Sequence, residues 1–320
     1  MASRKINESA KSEVNTGFGT NTSDYGGRFV NKDGNANIEK TGIPFFQKIS
    51  WYHTMLAVST VHFFLVIFIF FIVVNLLFAI IYFTNGVEHL GGLVYTSPVE
   101  KFIEAFFFSC QTFTTVGYGR VNPVGIFASA MASLEALIGL LFFAVATGLM
   151  YGRFARPKAY VHFSENAILA PYRDIIALMF RVAPYKNNTL LDAEIKVSLG
   201  LAVEENGKSV NKFYQLPLEL EKVNTLTLSW TVVHPINEES PFYHFAKEDF
   251  QNLRGEVLVF MKAFDDMFSN TVTARTSYTF NEIIYGAKFT PMYKRSESGN
   301  KTVLYLDKLN EHTAVVILNS

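Results

Sequence analysis

The 320-residue chain predicts a two-span α-helical membrane module followed by a cytoplasmic immunoglobulin-like β-sandwich. Three observations predict this fold class. Residues 63–83 are almost entirely Phe, Leu, Ile and Val, with Asn75 the one strongly polar interruption, and about 20 such residues cross a bilayer core. Residues 124–151 form a second apolar segment, richer in Gly and Ala, as suits a helix packed on neighbours in lipid. Beyond Pro157 the chain becomes short runs of strand-forming residues separated by turn residues.

In chain order, residues 1–42 form an N-terminal segment whose Ser-, Asn-, Thr- and Gly-rich beginning is expected to be partly disordered. The first 30 residues hold no apolar stretch, so the first span is expected to direct insertion itself. Residues 43–58 mix Phe45, Phe46, Ile49, Trp51 and Tyr52 with Gln47, Lys48 and His53, a blend that suits a slide helix lying in the membrane interface. Residues 59–157 form the transmembrane domain, with spans at 59–83 and 124–151. Lys40 and Lys48 precede the first span and Arg153, Arg156 and Lys158 follow the second, while residues 84–97 contain no Lys or Arg. Basic residues stay inside, so both termini are expected to be cytoplasmic.

Between the spans, Ser97-Pro98-Val99-Glu100 is a helix start: a Ser cap, Pro at the first helical position and Glu three residues after the cap. The helix is expected to run to about Phe113 and to aim its partly negative carboxyl end at the membrane centre. Directly after it comes Thr115-Val116-Gly117-Tyr118-Gly119. In a soluble chain a lone run of this kind is a tight turn. Between two spans it has the form of a potassium selectivity filter, completing a pore helix and filter over 98–119. Successive carbonyls there replace an ion's water shell, which places K+ at Thr115, Val116, Gly117 and Tyr118. Gly117 and Gly119 supply backbone angles that other residues resist, and Val116 and Tyr118 are expected to pack on their own pore helix. One loop is a quarter of a cage, so a homotetramer follows.

Composition agrees. The chain has 31 Phe, and its 28 Lys and Arg balance 28 Asp and Glu, which gives no sign of nucleic-acid binding. The single Cys110 excludes an intramolecular disulfide and is expected to pack as a small apolar residue behind the filter. Residues 158–320 form the sandwich domain, with strands expected at 175–182, 193–203, 226–234, 256–264, 270–280 and 314–318.

Taken together, these segments resemble the inward rectifier potassium channels, on their bacterial branch. The residues that carry the resemblance are 28–34 (RFVNKDG) with Asn37-Ile38, 106–119 through the filter, 153–157 (RFARP), 228–243 (LSWTVVHPINEESPFY) and 274–286 (ARTSYTFNEIIYG). The filter alone fits any potassium channel, and the later motifs narrow the family. The resemblance implies a tetramer whose sandwiches extend the pore inward, no cofactor beyond the permeant K+, and, for a bacterial chain, a multi-pass protein of the cell inner membrane.

Gly139, Phe143, Thr147 and Tyr151 recur every four residues and share one slowly drifting helical stripe. By itself that stripe is a packing surface against the first span. The resemblance implies instead that Phe143 and Tyr151 face the pore as a hydrophobic gate near the inner helix crossing. Gly139 is a place for the helix either to bend or to pack closely on a neighbour. Glu135 is a carboxylate inside a span, expected to face the cavity and hold cations or else to bond a neighbouring Ser or Thr.

Two departures from the animal members matter. An acid behind the filter is Gln111 here, leaving Arg120 at most a hydrogen bond, and the inner-helix acid of strong rectifiers is Phe143. Glu204, Glu205 and Asp266 resemble the acids lining the cytoplasmic pore, where polyamines or Mg2+ would block. Lys48, Arg153, Arg156 and Lys158 are candidate ligands for anionic lipids, including phosphoinositides, each worth about 1 kcal/mol near an anionic leaflet.

An enzyme finds no support. His234, His244, Glu238 and Glu239 lack a zinc spacing and are interrupted by Pro235 and Pro241, and no nucleophile-elbow, phosphate-cradling or CxxC motif occurs. The alternatives are a membrane-anchored sensor or binding protein with a poorly conducting pore, and a nonselective cation pore.

Overall fold

The computed structural model describes residues 6, 7, 9–13, 17, 18, 27–44, 50–85, 87–205 and 208–317, with the side chains of 87, 204, 205, 208 and 209 excepted. It divides into two compact units, residues 41–156 and residues 1–40 with 157–320.

The membrane unit contains four helices: α1 (Trp51–Ala57), α2 (Thr60–Thr84), α3 (Pro98–Phe113) and α4 (Ile126–Phe154). Ser50 and Ser59 cap α1 and α2 by accepting from the N–H groups of His53 and His62. Extended backbone at Val58 and Ser59 breaks the chain between them. At 1.5 Å per residue α2 and α4, of 25 and 29 residues, run about 37 and about 43 Å, enough to cross a bilayer. Large apolar residues such as Phe64, Phe68, Leu77 and Leu140 stay exposed on them, as a lipid-facing surface requires. Phe78 and Tyr82 of α2, Ala105 and Phe108 of α3 and Ala132 of α4 share one buried cluster. A two-residue ladder, β1 (Leu90–Gly91) with β2 (Asn122–Pro123), ties the loop before α3 to the loop after the filter.

The soluble unit is a sandwich of two five-stranded sheets. In the first, β11 (Asn270–Thr279), β10 (Gly255–Asp265), β6 (Leu190–Glu205) and β7 (Lys208–Gln215) lie in that order, with β8 (Lys222–Leu226) also on β6. In the second, β12 (Ile283–Tyr285), β4 (Ala167–Tyr172), β5 (Ile175–Pro184) and β3 (Val161–Phe163) are adjacent, with β9 (Trp230–Pro235) on β5. All pairs are antiparallel except β12 with β4. Leu178, Phe180 and Val232 of one sheet meet Ile195, Leu199, Val257 and Tyr278 of the other in a single core. A short helix, α5 (Lys247–Asn252), seats Phe250 in it.

Two expected strands differ. The 226–234 run is two strands, because Leu226 pairs with Leu190 in one sheet while Trp230 pairs with Val182 in the other. The chain changes layer at 227–229. Among the described residues the last strand is His312–Ala314, paired with Ala287–Phe289; residues 315–317 of the expected 314–318 run are in no strand, and Leu318 lies outside the described residues.

Residues 28–37 are clipped onto this unit. Phe29 and Val30 donate their N–H groups to the buried Glu256 carboxylate at 2.5 and 3.0 Å. Arg28 forms a two-pronged ion pair with Glu282, 2.7 and 3.1 Å, and also donates to the Ser277 carbonyl. Burial alone would raise the Glu282 carboxyl, but the bonds from Arg28 and the Thr279 N–H, with the charge of Lys32, hold it below the usual carboxylate range.

Candidate ion-conduction site

The helix before the filter begins as its sequence dictates. Ser97 accepts from the Glu100 N–H, Pro98 fills the first helical position, and Glu100 reaches past the cap to the Thr96 N–H and hydroxyl, 2.7 Å each. At its far end the Gln111 carbonyl accepts from Val116 N–H at 3.0 Å and Gly117 N–H at 3.3 Å, so the loop is hung from the last turn of α3. Thr115, Gly117 and Gly119 have φ of 58°, 53° and 82°, while Val116 and Tyr118 between them do not enter the left-handed region. This alternation turns successive carbonyls to a common side, as ion ligation by backbone needs. The glycines are explicable from sequence; Thr115 is not, because a β-branched residue resists that region.

Val116 and Tyr118 are 52 % and 79 % exposed in the single chain, so their own pore helix leaves at least half of each side chain uncovered. The outer end of the filter is braced by a bond the sequence did not reveal. Arg120 forms an ion pair with Glu104 of α3 at 2.5 Å and donates to the Gly92 carbonyl at 3.3 Å. Gln111 is therefore not its partner.

Glu135 does not line a cavity. It is fully buried, and its carboxyl is hydrogen-bonded to the hydroxyls of Tyr82 (2.7 Å) and Ser109. Gly139, one turn on, lies against the Phe113 carbonyl at the end of α3, and close packing, not bending, accounts for a glycine there. Farther along the stripe Phe143 and Tyr151 are 44 % and 75 % exposed in the single chain, and the Phe143 ring lies 6.3 Å from that of Phe113.

Of the basic residues, Arg153 donates to the Met55 carbonyl at 2.6 Å and stacks over the Phe63 ring at 4.7 Å, which fastens the end of α4 to the break between α1 and α2. Arg156, in the membrane unit, and Lys158, in the soluble unit, are exposed. Lys48 lies outside the described residues, as do the side chains of Glu204 and Glu205 and most of the segment expected to be disordered. Asp266 is exposed at the β10–β11 turn and accepts from the Thr189 N–H at 3.0 Å. Both ring nitrogens of His234 are occupied, by the Pro217 carbonyl and the Ser240 hydroxyl, which leaves none for a metal.

Two apolar spans, a capped re-entrant helix between them and a loop of alternating handedness hung from that helix define a two-span ion channel. Comparison with known proteins narrows the class. The model of the inward rectifier potassium channel C-terminal domain matches residues 161–319, and an ion channel model matches residues 69–155. The inward rectifier potassium channel Kirbac3.1 of Paramagnetospirillum magnetotacticum is 34% identical over 289 residues, covering 89% of this chain and 95% of that protein. The G protein-activated inward rectifier potassium channel 4 of Mus musculus is 29% identical over 234 residues, 67% of this chain and 54% of that protein, and its Bos taurus counterpart is similar to the same extent. The chain belongs to the inward rectifier potassium channel family, on its bacterial branch.

Proposed function

We propose that four copies of this chain close around one axis to form a potassium-selective pore that conducts K+ passively. The single observation that carries this reading is the run of left-handed residues at 115, 117 and 119, which supports K+ binding by the carbonyls of Thr115, Val116, Gly117 and Tyr118. Exposure of Val116 and Tyr118 in the single chain fits side chains that neighbouring copies cover. K+ is the permeant ion, no cofactor takes part, and no catalytic role is assigned.

The gate lies where Phe143 and Tyr151 of four α4 helices converge, their exposed rings forming a hydrophobic constriction. Anionic lipids bind at Lys48, Arg153, Arg156 and Lys158 and bias that gate, while Glu204, Glu205 and Asp266 attract cations, polyamines or Mg2+ in the cytoplasmic vestibule. Residues 28–37 and the sandwich belong to one unit, which supports both termini on one side of the inner membrane, the cytoplasmic side by the distribution of basic residues.

The test is K+ and Na+ flux in liposomes. Gly117 has φ of 53° with nothing within 4 Å of an added Cβ, so Gly117→Ala strains the backbone by about 1–2 kcal/mol without a clash. The variant is expected to assemble and to lose K+ flux, and parent-like selective flux in it would remove the filter assignment.

A further inference from the structure

Glu135 sits where three helices meet, and its neighbours form a chain whose hydrogens can be counted. Tyr82 of α2 lies 2.7 Å from Glu135 Oε2, and Ser109 Oγ of α3 is bonded to Oε1. Ser109 Oγ is also 3.0 Å from Asn75 Oδ1 of α2, and Asn75 Nδ2 donates to the Phe71 carbonyl at 2.7 Å. Glu135, Asn75 and Ser109 are each fully buried.

The Phe71 bond fixes the orientation of the Asn75 amide. Reversing it would set two carbonyl oxygens 2.7 Å apart, so the oxygen of the amide must be what Ser109 meets. Ser109 then stands between two acceptors, an amide oxygen and a carboxyl oxygen, with one hydroxyl hydrogen to give. The Tyr82 hydrogen is already committed to Oε2. With an ionised carboxylate, one of the two contacts at Ser109 would be oxygen against oxygen with no hydrogen between, in a site that water does not reach. A hydrogen on Oε1 completes the chain. Tyr82 O–H donates to Oε2, Glu135 O–H to Ser109 Oγ, Ser109 O–H to Asn75 Oδ1, and Asn75 N–H to Phe71. No Lys, Arg or His among the described residues faces the carboxyl to favour the charged form; the titratable neighbours are Tyr82 and Cys110.

We propose that Glu135 is held as a neutral acid that bonds the pore helix α3 to both spans, a positioning residue for the filter and not a charge that attracts cations. Its position makes this consequential. Ser109 is one turn before Phe113, which Gly139 contacts, and Gln111 between them carries the N–H groups of Val116 and Gly117. A carboxyl that fixes α3 thereby fixes the height from which the filter hangs. The assignment rests on the channel reading above, yet its spectroscopic test does not require conduction.

Glu135→Gln keeps both roles, since its amide N–H donates to Ser109 and its oxygen accepts from Tyr82. Glu135→Leu has the bulk without either. Expected are K+ flux and K+/Na+ selectivity within about twofold of the parent for Glu135→Gln, and a loss of about tenfold or more for Glu135→Leu, whose buried partners go unsatisfied. If Glu135→Gln loses conduction as severely as Glu135→Leu, a charge is required and the proposal falls. Because Glu135→Leu can fail by misassembly, infrared difference spectra of parent minus Glu135→Gln at neutral pH decide independently. The carbonyl stretch of a protonated carboxylic acid, present in the parent and absent in the variant, is expected; a carboxylate band in its place overturns the proposal. The same spectra are informative if neither protein conducts, which separates failure here from failure of the channel reading.

Discussion

A methyl group placed on Gly139 would come within 2.0 Å of the Phe113 carbonyl oxygen. Helix α4 therefore meets the pore helix through positions one turn apart, 135 and 139, that face positions one turn apart, 109 and 113. Gly139→Ala is expected to push the pore helix off its seat, with lower yields of assembled protein and loss of selective flux. Gly148→Ala on the same helix meets nothing within 4 Å in the chain and should be tolerated. If both variants lose flux alike, helix flexibility and not close packing is what glycine supplies.

The exposed aromatic positions predict the gate. Tyr151→Ala is expected to raise open probability by shortening closures in single-channel recordings, and Phe143→Ala to do so to a lesser or comparable degree. Unchanged closed times in both would leave the two rings as packing surfaces between copies.

Neutralising the inner-surface charges separates two roles of Arg153. Lys158→Gln, which removes an exposed charge, is expected to weaken the flux response to added anionic lipid while selectivity stays constant, measured at fixed ionic strength because salt alone screens the attraction. Arg153→Gln also removes the bond to Met55 and the stack on Phe63, so it should in addition lower the thermal midpoint. Identical lipid titrations for parent and both variants would confine these charges to setting topology.

Stability should fall with acid in a window set by His234. Burial, only partly offset by its bond to the Pro217 carbonyl, pushes this ring down to about 4. The unfolded chain binds the proton near pH 6.5, and the folded one does not until about 4. The contribution is therefore complete above about pH 6.5 and is lost as pH falls toward 4, about 3 kcal/mol in all. Denaturation midpoints of the whole chain in detergent should decline across that window, and His234→Gln should flatten the decline. Glu282 and Glu311, held below their usual 4.5, begin to lose their contributions as pH falls toward that value, so the upper part of the window, above about pH 5.5, reports on His234.

What was legible in the sequence was local. The spans, the Ser97–Pro98 start and the glycines of the filter are each set by a few adjacent residues, and the structure has helices at Thr60–Thr84, Pro98–Phe113 and Ile126–Phe154. The long strands at 175–184, 190–205, 255–265 and 270–279 were visible for the same reason, whereas one hydrophobic run continued through a change of layer at 227–229, the last strand was placed too late, and the strands at 161–163, 167–172, 208–215 and 283–285 were not anticipated. What escaped depends on which face of an element meets which neighbour. Helical spacing puts Glu135 and Gly139 on one side of α4, but only tertiary packing says that this side meets the pore helix and not water. Arg120 and Glu104 are 16 residues apart across a re-entrant turn, a distance at which no periodicity applies. The left-handed Thr115 contradicts its own propensity, which is how a functional backbone commonly departs from local rules.

The clip that holds residues 28–37 also orders events during synthesis. Arg28 and its partner Glu282 are separated by 254 residues, and Phe29 and Glu256 by 227. At roughly 5–20 residues per second, about 13–50 s pass between translation of the arginine and of the glutamate. Both hydrophobic spans emerge in that interval, so the opening stretch must wait, unseated, while the segment it precedes enters the bilayer. The carboxylates that receive it arrive only with residues 256 and 282, and a chain stopped short of residue 256 supplies neither.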